Sequence, residues 1–247
     1  MTQSKSLLII IVIFLGNTSC PLFAQGNGPD PGSVQNRFSV QPKGNSGDDM
    51  SCQAQLLSTS GRYGEAEQLF KAALAYWDKN PQANQKGRPH CLNNFGLLYA
   101  NQRKYDQAIP LYKEALSFEE KLLPDNDPLV ALTLDNMAQA YRLQGELQEA
   151  EPLYVKALAI EEKSMSPDDQ DHAITMFNLS LLYFQLEKYD KCEPLMVQSL
   201  VVLKKTLGET NPDYLSVYKY YPALLRKTNR SQQADVLESE AQTKQNQ

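Results

Sequence analysis

An internal repeat with a period of 42 residues limits this chain to a small set of architectures. The segments 94–99, 136–141 and 178–183 read NFGLLY, NMAQAY and NLSLLY, and each begins 42 residues after the one before. The segments 107–121 and 149–163 are identical at nine of fifteen positions in the same frame. A fixed period of this length predicts a solenoid, in which one supersecondary unit stacks on the next.

Each unit has the pattern of two helices joined by a tight turn. In the middle unit, apolar residues recur at spacings of three and four, which is typical of helices with one buried face. They are Leu134, Met137, Ala138 and Tyr141 in the first helix, and Leu147, Ala150, Leu153, Tyr154, Ala157 and Leu158 in the second. Gly145 stands between them, where a turn needs positive φ.

One position of the first helix is always small. Ala54, Gly96, Ala138 and Ser180 occupy it in successive units, which predicts close approach of a neighbouring helix there. Pro222 holds this position in the last unit, so we expect that helix to be bent or shortened.

The boundaries between elements are also marked in the sequence. Stretches rich in Asp and Pro at 124–128, 166–169 and 211–213 should separate the units and cap the helix that follows. Three further prolines lie near the starts of second helices, where we expect them in the first turn: Pro110, Pro152 and Pro194.

The order of residues within each unit resembles the tetratricopeptide repeat. The first helix has apolar, small and Tyr positions, and it is followed by Gly, by Tyr-x-x-Ala and by Ala-Leu. The 42-residue spacing is similar to the kinesin-light-chain variety of this repeat. The resemblance implies an all-α, right-handed superhelical α-solenoid of stacked helix pairs over residues 48–247, with about five units and about ten helices. The units expected are about 48–86, 87–128, 129–170, 171–212 and 213–247.

The N-terminus has the pattern of an export signal. Lys5 precedes an apolar run, 7–15, that is too short to span a bilayer. We expect residues 1–24 to be a signal peptide cleaved after Ala24, and the Gly- and Pro-rich residues 25–47 to be a flexible linker. The chain is then exported, to a bacterial periplasm or to the medium.

A second interpretation of the N-terminus stays open. Thr18 and Ser19 fit the small positions before a lipidated cysteine, whereas Asn17 does not fit the aliphatic one. Lipidation at Cys20 would anchor the chain in the cell envelope, and only in that case do we expect contact with a membrane.

The resemblance implies that peptides bind on the concave face, formed by the side of the first helices opposite the small residue. The peptide-binding residues expected there are Asn94, Asn136, Asn178, Gln139, Arg142, Phe177 and Phe184, and Leu97 and Leu181 share the stripe. An amide both donates and accepts, so it suits a peptide backbone. The alternative for the asparagines is a structural bond within the solenoid, and for the two phenylalanines it is packing against the next unit.

Composition excludes several classes of function. The net charge of −5 lacks the basic surface that nucleic-acid binding needs. His90 and His172 have no zinc-type spacing, and no phosphate loop or nucleophile motif occurs. We therefore expect no cofactor, no metal and no catalytic residue. The acidic pairs 119–120 and 161–162 are expected to be solvated.

Three cysteines follow the expected cleavage site. Cys192 replaces a core alanine and should be a buried thiol, and a bridge between Cys52 and Cys91 is not expected.

The function expected is a scaffold outside the cytoplasm that binds a protein or an extended peptide segment. The alternatives are a lipid-anchored subunit of an envelope assembly, and an enzyme with its chemistry hidden in the groove.

Overall fold

The computed structural model describes residues 46–83 and 85–245, and all its regular structure there is helical. Within these two ranges ten helices follow one another, which confirms the expected architecture. They are α1 (Gly47–Thr59), α2 (Tyr63–Lys79), α3 (Gly87–Asn101), α4 (Tyr105–Leu122), α5 (Pro128–Gln144), α6 (Leu147–Ser164), α7 (Gln170–Gln185), α8 (Tyr189–Leu207), α9 (Pro212–Lys227) and α10 (Ser231–Gln245). Each odd-numbered helix packs on the next even-numbered one as a helical hairpin.

The chain divides into two compact units at Leu123 and Pro124. In the first unit α1 and α2 pack on each other, as do α3 and α4, and α3 contacts both α1 and α2. In the second unit α7 contacts both α5 and α6, and α9 contacts α8 and α10. Within each unit, α3, α7 and α9 thus each touch the hairpin before them, as expected of stacked repeats.

The helix caps follow the repeat. Asp127, Asp169 and Asn211 stand 42 residues apart and cap α5, α7 and α9. Each side chain accepts a hydrogen bond from the backbone N–H two residues later, at 2.9, 2.8 and 2.8 Å respectively. Gly145 ends α5 in the left-handed region with a φ of 97°. The predicted capping role of the Asp- and Pro-rich stretches is therefore confirmed.

The small position of the first helices lies in the core, as predicted. Ala54, Ala138 and Ser180 are fully buried. Gly96 is tighter still, since a Cβ built on it would lie 2.6 Å from Cε1 of Tyr112 on α4. Side chains larger than alanine would separate the two helices of a hairpin at this point.

Two expectations about proline are wrong. Pro110, Pro152 and Pro194 are each the sixth residue of their helix, one turn deeper than expected. Each ring is exposed, so the carbonyl that loses its helical donor is open to water. Pro222 lies inside α9, which still runs for 16 residues and is not shortened.

The start of the helical array lies slightly earlier than expected. Ser46 caps α1 and Gly47 is its first residue, although both had been placed in the linker. The predicted signal peptide, the Cys20 site and the linker up to residue 45 lie outside the described residues. Over the described residues, no helix is long and apolar enough to cross a membrane.

Candidate functional site

The asparagines of the repeat are buried rather than exposed. In the second unit Asn136 and Asn178 are 7% and 3% exposed, and in the first unit Asn94 is 8% exposed. The reason is that consecutive first helices contact each other on this side, α5 with α7 and α1 with α3. A residue about 200° around the helix from the small position therefore faces the neighbouring first helix and not water.

Two of the asparagines bond to the neighbouring first helix. Asn178 on α7 donates through Nδ2 to both carboxylate oxygens of Asp135 on α5, at 3.2 Å each. In the first unit, Nδ2 of Asn94 lies 3.5 Å from Oε1 of Gln55 on α1. These contacts are the structural bonds that the sequence left open as an alternative.

The two predicted phenylalanines have different environments. Phe177 is 1% exposed and packs on Tyr220 of α9, with ring centroids 5.6 Å apart. It therefore fills the space between α7 and α9 and does not line an open pocket. Phe184 is half-buried, and its ring meets Tyr189 of α8 edge-on at 5.8 Å.

One position in the middle of each of three first helices remains open. In the first unit Leu97 is half-exposed although every other residue from 91 to 100 is buried. In the second unit Gln139 and Leu181 are half-exposed between buried neighbours. The three residues are 42 apart, each three residues after a repeated asparagine. We call Leu97, Gln139 and Leu181 the open positions.

The peptide-binding residues expected from the sequence include Gln139 but neither leucine. The signal for the leucines was present, since Leu97 and Leu181 stand in the register of Gln139 and share its stripe.

Arg142 lies one helical turn beyond Gln139 on α5. It is 8% exposed, and its Nε has no hydrogen-bond partner among the described residues. The positive charge of its guanidinium opposes the rise in pKa that burial causes at two groups of the second unit, Asp135 and Tyr154. Burial raises the pKa of Asp135 to about 7 and Glu161 adds to the rise, whereas Asn178 and Arg142 oppose it.

A buried carboxylate on α6 is the feature that the sequence analysis missed. Glu161 is 2% exposed, although the pair 161–162 was expected to be solvated. Its Oε1 accepts from Oγ1 of Thr175 at 2.8 Å, and its Oε2 lies 3.2 Å from Nδ1 of His172. Glu119, its counterpart in the first unit, is fully buried too, whereas Glu120 and Glu162 are exposed.

Two of the described cysteines lie in the core. Cys91 and Cys192 are buried free thiols, and burial raises the pKa of each to about 12, so both are protonated at neutral pH. Because Cys91 is free, no bridge joins it to Cys52. Within the ranges that the structure describes, no three His, Cys, Asp or Glu side chains are grouped to hold a metal ion.

Comparison with known proteins agrees with this geometry. The family profile described as "Tetratricopeptide repeat" matches residues 50–121, 88–163 and 129–191, so it covers more than half of the chain. No curated protein sequence matches the chain.

Among solved structures, the chain is similar to the crystal structure of BtubC (BKLC) from P. vanneervenii. The two are 20% identical with a TM-score of 0.71, over 79% of this chain and 78% of that one. It is also similar to a Podosopora anserina putative kinesin light chain with nearly identical TPR-like repeats, at 19% identity and a TM-score of 0.66, over 79% and 93% of the two chains. At this level of identity the likeness shows a shared fold.

Proposed function

This chain belongs to the tetratricopeptide-repeat family, and we propose that it is a protein-interaction scaffold that binds an extended polypeptide segment along its first helices. The proposal is supported by the family, whose stacked helix pairs present continuous surfaces to partners. In the described part of the chain, Cys91 and Cys192 are buried free thiols, and no three His, Cys, Asp or Glu side chains are grouped to hold a metal ion.

The open positions are the observation that carries the proposal. First helices that bury nearly every residue in their middle leave one side chain accessible, and it recurs in register. In the second unit Gln139 offers an amide for peptide backbone, and Leu181 offers an apolar contact. Half-buried Phe184 lies one turn further along α7 and extends the apolar surface. An extended peptide needs this alternation of backbone-binding and side-chain-binding groups.

The asparagines take a supporting part in this proposal. Asn136 and Asn178 lie one helical turn before the open positions but are themselves buried. Because Asn178 joins α7 to Asp135 on α5, it fixes the separation of the helices that carry Gln139 and Leu181. We therefore propose that it positions the groove and that the accessible side chains make the contacts.

The test uses a charged substitution on each side of the second unit. Peptides selected from a random displayed library for binding to the full chain serve as ligands, and their Kd is measured by fluorescence polarisation. Leu181→Lys should weaken binding at least about tenfold, which is ~1.4 kcal/mol, because a buried apolar contact is lost.

Val155→Lys is the matched control. Val155 lies on the second helix α6 and is 48% exposed, so the substitution adds the same charge away from the proposed groove. It should leave Kd unchanged, and both variants should keep the wild-type melting temperature. Equal affinities for the two variants would show that peptides bind elsewhere.

We also propose that the protein works outside the cytoplasm. The support is the basic start and short apolar run at the N-terminus, a pattern typical of export signals. Mass spectrometry of the mature N-terminus tests it. A first residue of Gln25 supports a soluble exported scaffold, an acylated Cys20 supports a lipid-anchored subunit of the cell envelope, and an intact Met1 in the soluble cell fraction contradicts export.

A further inference from the structure

Five polar side chains lie between α5, α6 and α7 in the second unit. Glu161 on α6 contacts Thr175 and His172 of α7, at 2.8 and 3.2 Å. Asp135 on α5 contacts Asn178 of α7 at 3.2 Å. Asp135 and Glu161 are only 7% and 2% exposed, and Thr175 and Asn178 are each 3% exposed. We call these residues the polar junction.

The fold does not need polar groups at these positions. One repeat later, between α7, α8 and α9, all five are apolar or aromatic: Phe177, Leu203, Tyr214, Val217 and Tyr220. Four of them are at most 5% exposed, and the fifth, Tyr220, packs on Phe177. Helix packing at these positions therefore does not require polar side chains, and the polar set costs desolvation that an apolar set avoids.

We propose that the polar junction is a proton-controlled joint, which holds α7 against α5 and α6 in mildly acidic solution and loosens as the solution becomes alkaline. Three ionisable groups, Asp135, Glu161 and His172, meet across the three helices. His172 is the most exposed of them, with a side chain that is 12% exposed.

The three groups change the stability of the joint in the same direction. Burial raises the pKa of Asp135 to about 7 and also raises the pKa of Glu161, so the packed joint favours protonated carboxyls. The hydrogen bond to Glu161 raises the pKa of His172, so the packed Glu161–His172 pair holds a proton more firmly than the unfolded chain does. In each case the folded state binds more protons than the unfolded state. Stability therefore falls as the pH rises through the pKa that the group has in the folded state.

The other charged groups around the joint do not reverse this sign. Asp169 and Glu162 add negative charge beside His172 and favour its protonated form. Burial raises the pKa of Asp171 to about 6, which adds to the same trend. The positive charge of Arg142 on α5 lowers the pKa of Asp135 and so opposes the rise that burial causes there. On the α8 side, Lys205 is paired with Asp168 at 2.5 Å.

Hydrogen exchange on the full chain measures the joint directly. Protection of the amides of α7, corrected for intrinsic exchange, should fall at least about tenfold between about pH 5.5 and about pH 8.5. Proton linkage predicts a fall of this size for a single carboxyl, such as Asp135, whose pKa is raised to about 7 in the folded state. Amides of α9, in the apolar counterpart, should change less. Protection of α7 that is flat, or that rises with pH, would overturn the proposal.

Conservative variants separate the joint from general pH effects. Asp135→Asn combined with Glu161→Gln keeps size and hydrogen bonding, and Asn93 already occupies the first of these positions one repeat earlier. The pH dependence should shrink to less than about threefold in this variant. It should persist in Asp168→Asn, which removes an exposed carboxylate nearby. Full pH dependence in the double variant would overturn the proposal.

A titration of the wild-type chain covers the case in which the double variant does not fold. Carboxyl ¹³C NMR should show Asp135 titrating with a midpoint of about 7. A midpoint below about pH 5 would place the carboxylate in its ordinary range and would overturn the inference.

Discussion

Glu161 is an ionisable side chain that the protein buries at the end of a helix, where partners must offset its desolvation. Thr175 supplies a hydroxyl donor and His172 supplies an imidazole, both from the first helix of the next hairpin. A buried carboxylate with incomplete partners costs more than the value of any one hydrogen bond. The hydroxyl of Thr175 should therefore matter more than its size suggests.

Thr175→Val tests this at constant shape, and valine is the residue found one repeat later at position 217. We expect the free energy of unfolding at pH 7 to fall by about 1–3 kcal/mol, because Oε1 of Glu161 loses its donor. Urea denaturation followed by circular dichroism measures it. Thr210→Val, at an exposed loop residue, should stay within about 0.5 kcal/mol of wild type. Equal losses for both would mean that the hydroxyl is not a significant partner.

Some single-residue roles were predictable from periodicity and others were not. The small position was predicted correctly because it is small in the first four units, and close helix packing selects for small residues. The asparagines were placed correctly around their helix, but the sequence left open whether they face a peptide or the neighbouring helix. Angular position shows that Asn178 points away from the hairpin partner, but it does not show that α5 covers that side.

At the scale of elements, the helix starts were the most predictable boundaries. Asp127, Asp169 and Asn211 are local signals, since each side chain caps its own helix through a backbone N–H two residues away. Such bonds depend only on nearby sequence, so spacing and residue type identify them.

Loss of one cap should destabilise the helix that it begins. Asn211→Ala removes the acceptor for the N–H of Asp213 without changing charge, and we expect a loss of about 0.5–2 kcal/mol in the free energy of unfolding. The matched control is Asn126→Ala, an exposed loop asparagine that should be neutral. Chemical denaturation of the two variants measures the difference, and an equal effect would argue against the capping role.

The prolines show where local signals are insufficient. Pro152 follows the start of α6 by five residues, so the helix accepts a missing donor in its second turn. The helix tolerates the missing donor because the proline ring and the affected turn face water. The packing of the hairpin decides which side of α6 is exposed in this way. The sequence rule that confines proline to the first turn contains no information about which side of the helix is exposed.

At the scale of the whole molecule, similar hairpins are joined by different chemistry. In a repeat array, stability is approximately the sum of the units and their interfaces. Within the second unit, five register positions are polar between α5, α6 and α7, whereas the same positions between α7, α8 and α9 are apolar or aromatic. The repeat therefore sets the geometry of each junction, and the residues at five register positions set how it responds to its surroundings.

A graft of one interface onto the other tests this division. The variant carries Asp135→Phe, Glu161→Leu, His172→Tyr, Thr175→Val and Asn178→Tyr, each taken from one repeat later. Replacing a buried polar set with packed apolar residues is often neutral or stabilising by about 1–4 kcal/mol. We therefore expect the graft to be at least as stable as wild type at pH 7, and more so above it.

Glu161→Leu alone is the matched comparison for the graft. It leaves Thr175 and His172 buried without their acceptor, so we expect it to lose about 1–3 kcal/mol. The two results together would mean that the five residues act as one set, because the single change destabilises and the complete change does not. Guanidinium denaturation of the wild type, the single variant and the graft measures all three. A graft less stable than the single variant would show that the polar junction is required for α7 to pack, and that the register positions are not interchangeable.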